Sequence, residues 1–325
     1  MSGPIERRGF LKSGAAAVGA VLLAAGRHAL AEAAGADEKQ RQITLGFSLY
    51  GMKTLALGEA LAGCAKIGYD AVELAAMPDW PAAPGKLPAA ARRQLRERLA
   101  ELGLSLPALM ENLNLGADDA ADRGQLERLK AVGELARDLA PDAPPLIETV
   151  VGGKAGEWAK IKERFADRLA GWVRVAEQTQ TVLAIKPHRF GAMNAPADAV
   201  ALVNQMGSPW LKLAYDYSHF QFRDLPLDDT LKQMIPLTRF IHVKDTVLDK
   251  GNARFVLPGE GGFDYVPLLR KAEALGYRGC VCVEVSGMVS NQPGYDPLAA
   301  AKRSYDNLAP AFEKAGINRS PIAAQ

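Results

Sequence analysis

Short apolar runs alternate with longer amphipathic stretches along most of the chain. The apolar runs have the length of buried strands, and the stretches between them repeat hydrophobic residues at helical spacing. Glycine follows two of these stretches, at Gly68 and Gly276, as it does at the ends of helices. The predicted strands are Ile43–Leu49, Ala71–Ala76, Leu104–Met110, Pro145–Val151, Val182–His188, Leu211–Tyr217, Arg239–Lys244 and Cys280–Val285.

This succession of strand and helix units predicts one α/β domain, a single (β/α)8 TIM barrel over residues 42–315. An open, doubly wound sheet is the alternative. The first strand, however, is followed by Ser48-Leu49-Tyr50-Gly51-Met52, which lacks the glycine pattern of a dinucleotide-binding turn. No linker divides the barrel, and residues 316–325 are expected to form a loose C-terminal tail.

The N-terminus has the parts of a twin-arginine export signal in their usual order. Arg7 and Arg8 precede a weakly apolar, Ala- and Gly-rich stretch over residues 14–26, and Ala29-Leu30-Ala31 matches a cleavage site. We therefore expect residues 1–31 to be a signal peptide and residues 32–41 a linker. A disordered basic tail is the alternative. The mature protein is expected in the periplasm or outside the cell.

Charge and composition narrow the class of partner. The chain has 325 residues, with 39 Lys and Arg against 37 Asp and Glu, a formal net charge of +2. This balance favours no nucleic acid partner. No stable membrane insertion is expected after signal cleavage, because no other run is long and apolar enough. Cys280 and Cys282 fall on one face of a strand and are expected to be small core residues. A homo-oligomer is compatible with the sequence.

Charged residues end or interrupt several of the predicted strands. The chemistry of β/α barrels lies at the C-terminal ends of the strands, and buried charges there need partners. A divalent cation shared by four of these side chains would supply one, with three oxygen ligands and one nitrogen ligand. Such a set suits one Mn, Co, Zn or Mg ion and leaves positions for substrate oxygens. The candidate ligands are Glu148, Asp216, His242 and Glu284.

Four segments in this order and spacing resemble the sugar isomerase/epimerase superfamily with xylose isomerase-like barrels. The resemblance implies a metal ion held by an Asp, a His and a Glu on strands six, seven and eight. These positions correspond to Asp216, His242 and Glu284, and His219 corresponds to a histidine that contacts substrate. The segments are Asp216-Tyr217-Ser218-His219, His242-Val243-Lys244-Asp245, Pro258-Gly259-Glu260-Gly261 with Asp264, and Val283-Glu284-Val285-Ser286.

One position departs from the pattern that the resemblance implies. The family carries a metal-binding Glu on strand five, where this chain has Lys186. We expect Glu148 on the neighbouring strand to take over the ligand role. Beside a dication, the pKa of Lys186 is expected to fall, which would make it an acid/base group together with Glu284 and His188. The alternative is a structural Lys186 paired with Glu148 or Glu284.

The resemblance and the ligand set together predict a metal-dependent isomerase or epimerase. The enzyme would remove a proton next to the carbonyl of a small carbohydrate and stabilise the enediolate. Lys244 and Glu260 are further substrate-binding candidates. One alternative is a lyase or dehydratase of keto-sugars such as 3-keto-glycosides, and another is a sugar-binding barrel without activity. A DNA-repair endonuclease would share the barrel, but four His and a near-neutral charge argue against it.

Overall fold

Eight parallel strands close into a barrel, which confirms the predicted fold. The computed structural model describes residues 42–116, 118–249 and 252–319, so the predicted signal and linker lie outside the described residues. Each strand pairs with its neighbour along the chain, and the first closes on the last through Thr44 and Cys280. The barrel strands are β1 Thr44–Ser48, β2 Ala71–Ala75, β3 Ser105–Met110, β4 Leu146–Thr149, β5 Leu183–Ile185, β6 Leu211–Tyr215, β7 Thr238–Val243 and β10 Cys280–Val283.

Helices surround the barrel and carry the chain from one strand to the next. They bury apolar side chains such as Leu61, Trp172 and Phe312 against the outside of the sheet. Gly68 ends the first helix at φ 111°, a conformation that favours glycine. The helices are α1 Leu57–Ile67, α2 Ala89–Glu101, α3 Asp119–Leu139, α4 Trp158–Thr179, α5 Pro196–Met206, α6 Ser218–Gln221, α7 Leu227–Met234, α8 Tyr265–Ala274, α9 Gly287–Ser290 and α10 Pro297–Ala315.

An antiparallel hairpin after β7 was not predicted. Its strands, β8 Asp245–Asp249 and β9 Asn252–Val256, pair from Asp245 with Val256 onward. Asp245 then accepts backbone N–H groups of Gly259 and Gly261 at 3.0 and 2.8 Å. These bonds fix the loop that follows the hairpin, so the glycine-rich segment is held by a buried carboxylate.

Most of the side chains that fill the inside of the barrel are small. At Gly46 an added Cβ would lie 2.5 Å from the Cys280 Sγ atom, which shows how closely β1 and β10 approach. Cys280 and Cys282 are buried and free, as expected for core residues. We call this set the lower layer: Ala71, Ala108, Leu146, Ala184, Ala214, Phe240, Cys280 and Cys282.

An ion pair lies at the N-terminal end of the barrel. Arg319 Nε lies 3.3 Å from Asp70 Oδ2, and the same carboxylate accepts the Leu45 N–H at 2.8 Å. The other predicted segment boundaries stay predictions. Within the described residues, no helix combines the length and apolarity that crossing a bilayer requires.

Candidate functional site

A layer of ionisable side chains lies directly above the lower layer. Six strands place a charged residue, or a histidine, two positions after a lower-layer residue, so both point into the barrel. Ala184 and Lys186 on and after β5 are one such pair, and Phe240 and His242 on β7 are another. We call the upper set, with the neighbouring Lys244, the charged layer: Glu73, Glu148, Lys186, Asp216, His242, Lys244 and Glu284.

Burial is nearly complete in the charged layer. Its residues are 0–4% exposed except Glu284, whose side chain retains 14% of its accessible area. Glu284 is therefore the charged-layer carboxylate that faces the barrel mouth.

The Lys186 ammonium group lies at the centre of this layer. Its Nζ atom is 2.8 Å from His242 Nδ1 and 3.0 Å from Glu284 Oε2. It also lies 3.1 Å from Glu148 Oε1. An ammonium group has three hydrogens, and the contacts with His242 and Glu284 use two of them, while Glu148 is an ion-pair partner.

The second ammonium group, that of Lys244, joins two carboxylates. Lys244 donates to Glu284 Oε2 at 2.7 Å and to Asp216 Oδ2. The other Asp216 oxygen accepts the Ser218 hydroxyl at 2.6 Å and the Ser218 N–H at 3.1 Å. Glu284 Oε2 is thus shared by both lysines, and Asp216 is held from two sides.

Glu73 fixes the orientation of His242. The imidazole Nε2 lies 2.9 Å from Glu73 Oε2, so Nε2–H donates to the carboxylate and Nδ1 is left to accept from Lys186. Sequence reasoning missed Glu73, although it interrupts the apolar run Ala71–Ala75 as a lone acid. That interruption was the available signal.

Two histidines and an aromatic wall lie beside the charged layer. The rings of His188 and His219 are 4.2 Å apart, and Phe255 of the hairpin packs on His219 at 5.2 Å. Backbone N–H groups of Arg189 and Phe190 donate to Nδ1 of His219 and His188, at 3.4 and 3.3 Å. Each imidazole therefore carries its proton on Nε2 when it is neutral.

A cavity of about 160 Å³ opens next to these groups. Lys186, His188 and Phe190 line it, together with Gly152 and Met193. Half of Phe190 is exposed. A cationic, a neutral polar and an aromatic side chain on one wall suit a small polar ligand with an apolar face, such as a sugar ring.

The pKa values of the two carboxyls that contact Lys186 move in opposite directions. Burial alone would raise the pKa of Glu284, but Lys186 and Lys244 outweigh it and hold that pKa well below its usual value. For Glu148, burial prevails over the opposing charge of Lys186, so its pKa is raised. Glu284 is consequently ionised at neutral pH, whereas Glu148 holds a proton more readily.

The pKa values of Lys186, His188 and His219 are shifted as well. Burial alone would lower the pKa of Lys186, but Glu148 and Glu284 outweigh it, so the pKa is raised. Carboxylates surround the amine, so the side chains alone keep it charged, and the expected fall of its pKa beside a dication stays a prediction. Burial, with His219 and Lys186 nearby, lowers the pKa of His188 to about 2. Burial also lowers the pKa of His219 to about 4, although Asp216 opposes it.

The structure brings together most of the candidate site residues. Glu148, Asp216, His242 and Glu284 converge with Lys186 and Lys244, and His219 lies 3.3 Å from Asp216 through Nε2. Glu260 is not part of this cluster. Its carboxylate lies 3.6 Å from Arg303 Nε and accepts the Leu257 N–H at 3.2 Å.

The expected metal ion can be tested against these contacts. Asp216, His242 and Glu284 place one ligand atom each within 4.8 Å of one another, as a shared ion would require. The facing atoms of all three, however, already contact an ammonium group. A dication about 4 Å from one ammonium group is repelled by roughly 8 kcal/mol at an effective dielectric constant of about 20. As the side chains stand, the donor set does not fit a divalent cation.

Comparison with known proteins places this geometry in context. Residues 61–311 match the family described as "Xylose isomerase-like TIM barrel". A curated protein of Escherichia coli (strain K12), "Putative L-ribulose-5-phosphate 3-epimerase SgbU", is 26% identical over 270 residues. The match covers 77% of this chain and 91% of that protein.

Solved structures share the fold at lower identity. An L-ribulose 3-epimerase has a TM-score of 0.65 at 19% identity, covering 84% of this chain and 96% of that one. The apo form of the E. coli 3-keto-D-glucoside 4-epimerase YcjR has a TM-score of 0.61 at 18% identity, covering 84% and 100%. A fusion protein of such a barrel with 4-hydroxyphenylpyruvate dioxygenase has a TM-score of 0.69 at 18% identity, and the match covers 84% of this chain and 43% of the fusion protein.

Some of these neighbours bind a metal. The IOLI protein, with a bound zinc atom, has a TM-score of 0.66 at 21% identity over 84% of this chain and 99% of that one. A xylose isomerase-like TIM barrel protein from Mycobacterium smegmatis was solved in complex with magnesium. Its TM-score is 0.63 at 16% identity, and the match covers 86% of this chain and 98% of that one.

Proposed function

The chain belongs to the xylose isomerase-like TIM barrel family, and from that premise we propose that it epimerises or isomerises a carbohydrate by removing a proton next to a carbonyl group. The relatives named as sugar epimerases support this reaction class. The proposed substrate is a small sugar that carries a keto or aldehyde group.

The observation that carries the proposal is the position of Glu284. It is the charged-layer carboxylate that faces the barrel mouth, and its Oε2 accepts from Lys186 and Lys244 at 3.0 and 2.7 Å. A proton acceptor and two positive charges thus lie within one hydrogen bond of each other. Removal of a proton next to a carbonyl needs this pairing, because negative charge develops on the carbonyl oxygen.

Each proposed step conserves protons and electrons. Glu284 takes the proton from the carbon, the C–H electron pair forms a carbon–carbon double bond, and the carbonyl oxygen becomes an enediolate oxygen. Contacts within the described residues use two of the three Lys244 hydrogens, so the third is available to that oxygen. For isomerisation, the hydroxyl proton on the first carbon passes to the enediolate oxygen, and Glu284 returns its proton to the former carbonyl carbon, so that the carbonyl group forms on the first carbon. Epimerisation needs a proton donor on the opposite face of the carbon, and Lys186, which lies 3.0 Å from the Glu284 carboxylate, is on the same side as the base.

The neighbouring side chains would bind and orient the sugar. His188 is neutral at physiological pH and, with Nδ1 accepting from Phe190 N–H, presents Nε2–H as a donor to a sugar hydroxyl. Phe190 offers an aromatic face to the apolar side of the ring.

The test is proton exchange with solvent. The protein is incubated in deuterated water with a panel of keto-sugars and 3-keto-glycosides and followed by NMR. We expect deuterium to appear on a carbon next to the carbonyl of at least one sugar, together with an epimer or isomer. An unsaturated product would indicate a lyase. Binding of a sugar without exchange for any member of the panel would indicate a barrel that only binds sugars, and would contradict the proposal.

We also propose that the mature enzyme works outside the cytoplasm. This proposal rests on the sequence alone, on Arg7, Arg8 and the cleavage pattern ending at Ala31. Replacement of both arginines by lysine is expected to leave the chain uncleaved in the cytoplasm of its host. Fractionation and intact-mass measurement decide it, and processing of the double variant as efficient as that of the native chain would refute the signal.

A further inference from the structure

We propose that the ammonium groups of Lys186 and Lys244 together take the place of the divalent cation that the resemblance predicts, so that this site works without a metal ion. The inference deepens the proposed function and rests on it for the catalytic use of these charges. The identity of the cations themselves can be measured without any substrate.

The atoms around Lys186 are of the kinds that bind a divalent ion. Its Nζ contacts the His242 imidazole, the Glu284 carboxylate and the Glu148 carboxylate at 2.8–3.1 Å. Imidazole nitrogen and carboxylate oxygen are the usual ligands of a catalytic divalent ion. Here they surround a lysine nitrogen that comes from strand five, where the resemblance predicts a ligand.

The two lysines contact every member of the candidate ligand triad, Asp216, His242 and Glu284. Lys244 contacts Asp216 Oδ2 and Glu284 Oε2, and Lys186 contacts His242 Nδ1. The second Asp216 oxygen is bonded to Ser218. Within the charged layer and His219, the buried side-chain atoms without a hydrogen bond are Glu73 Oε1, both Glu148 oxygens and His219 Nε2. None of these four atoms belongs to the triad, and Glu148 and His219 still have Lys186 and Asp216 as ion-pair partners.

The exchange at strand five also balances the charge of the site. The resemblance implies a carboxylate at the position of Lys186. Replacing a carboxylate by an ammonium group changes the charge of the site by +2, which equals the charge of one divalent ion. Lys186 therefore supplies the positive charge that the ion would have supplied.

The two ammonium groups can do what the ion would do for the proposed reaction. Both donate to the same Glu284 oxygen, at 3.0 and 2.7 Å. A hydrogen bond from an ammonium group to the carbonyl oxygen stabilises the enediolate charge in a site with little water. Lys186 is in the cavity wall, where a substrate oxygen can reach it.

The test is the metal content and Mn²⁺ affinity of the native protein and of Lys186→Glu. The native protein, produced in medium with added Mn²⁺ and Zn²⁺ and then dialysed, is expected to hold less than about a tenth of an equivalent of either ion by elemental analysis. Lys186→Glu replaces the ammonium group with a ligand and should bind Mn²⁺ at least about tenfold more tightly in calorimetric titration. The exposed Lys232→Glu is the matched control and should bind as the native protein does.

Each outcome bears on the inference. About one equivalent of metal in the native protein, bound with micromolar or tighter affinity, would overturn it even if the sugar chemistry is right. A folded Lys186→Glu, verified by circular dichroism, with no gain in affinity would overturn the claim that the lysine occupies the ion's place. Should that variant fail to fold, the native titration decides alone. Inactivity towards every sugar would contradict the proposed function but would not change the result of the metal measurements.

Discussion

The lower layer and the charged layer share six strands and the same inward face, with their residues two positions apart on each strand. The lower layer holds four alanines, two cysteines, one Leu and one Phe, with close approach at Gly46. The layer above it holds four acids, two lysines and a histidine, almost without solvent. Barrel closure needs only the first of these, because small apolar side chains fill a narrow interior.

The difference between the two layers separates the residues that fill the barrel from the residues that suit chemistry. Buried ion pairs seldom stabilise a protein more than apolar side chains of similar volume, because desolvation offsets their attraction. A charged layer in which each ammonium group bonds several acceptors is therefore not explained by stability. Its arrangement suits the handling of a proton and a developing negative charge.

The largest expected effect comes from removing the base of the charged layer. Glu284→Gln keeps the shape of the side chain and its hydrogen-bonding capacity but cannot accept a proton. Turnover should fall by about 10²–10⁴-fold, the usual contribution of a positioned base. Steady-state kinetics on the sugar found by NMR measures this, with the exposed Glu163→Gln as control. Native turnover by folded Glu284→Gln would remove Glu284 from the mechanism.

The next prediction compares two phenylalanines, one in the lower layer and one at the cavity. Phe240 is buried in the lower layer, whereas Phe190 at the cavity is half exposed. Phe240→Ala should lower the free energy of unfolding by about 3–5 kcal/mol. Phe190→Ala should change it by less than about 0.5 kcal/mol and raise KM instead. Urea unfolding and kinetics on both variants check this. Equal destabilisation by the two changes would contradict the division into a packing layer and a working mouth.

The smallest expected effect is a pH dependence of the free energy of unfolding that arises from His219 beside the charged layer. His219 has a folded-state pKa of about 4, against about 6.5 in an unfolded chain. Between these values the unfolded chain binds a proton that the folded chain does not, so stability is full above pH 6.5 and falls as the pH is lowered. At pH 5 the loss from His219 is about 2 kcal/mol.

The variant His219→Gln isolates this contribution. Urea unfolding at pH 7 and pH 5 should show a difference between the two pH values that is smaller by about 2 kcal/mol than in the native protein. An identical pH dependence in both proteins would mean that His219 titrates normally in the folded state.

Much of the fold was predictable because two periodicities are plain in the sequence. Alternating strand runs and amphipathic helices led to the barrel, and charged strand ends led to Glu148, Asp216, His242 and Glu284. The hairpin Asp245–Val256 was not predicted, because Asp245 has the sequence pattern of the polar end of a strand. Asp245 is instead held by hydrogen bonds from loop N–H groups, and these tertiary contacts cannot be read from the local sequence.

The sequence raised the question of what Lys186 does but could not answer it. Its position in the strand pattern showed that a ligand had been replaced. Whether it would stand beside an ion or in its place depends on which atoms its ammonium group meets, and those come from β4, β7 and the end of β10. Distances across a barrel are set by closure and register, which no local pattern encodes.

The most direct test of the account is the rate of solvent-deuterium incorporation into the substrate sugar, measured by NMR with and without excess EDTA. The account predicts exchange next to the carbonyl at the same rate in both samples, and its loss in Glu284→Gln. Exchange that disappears with EDTA and returns with Mn²⁺ would contradict the role given to Lys186 and Lys244.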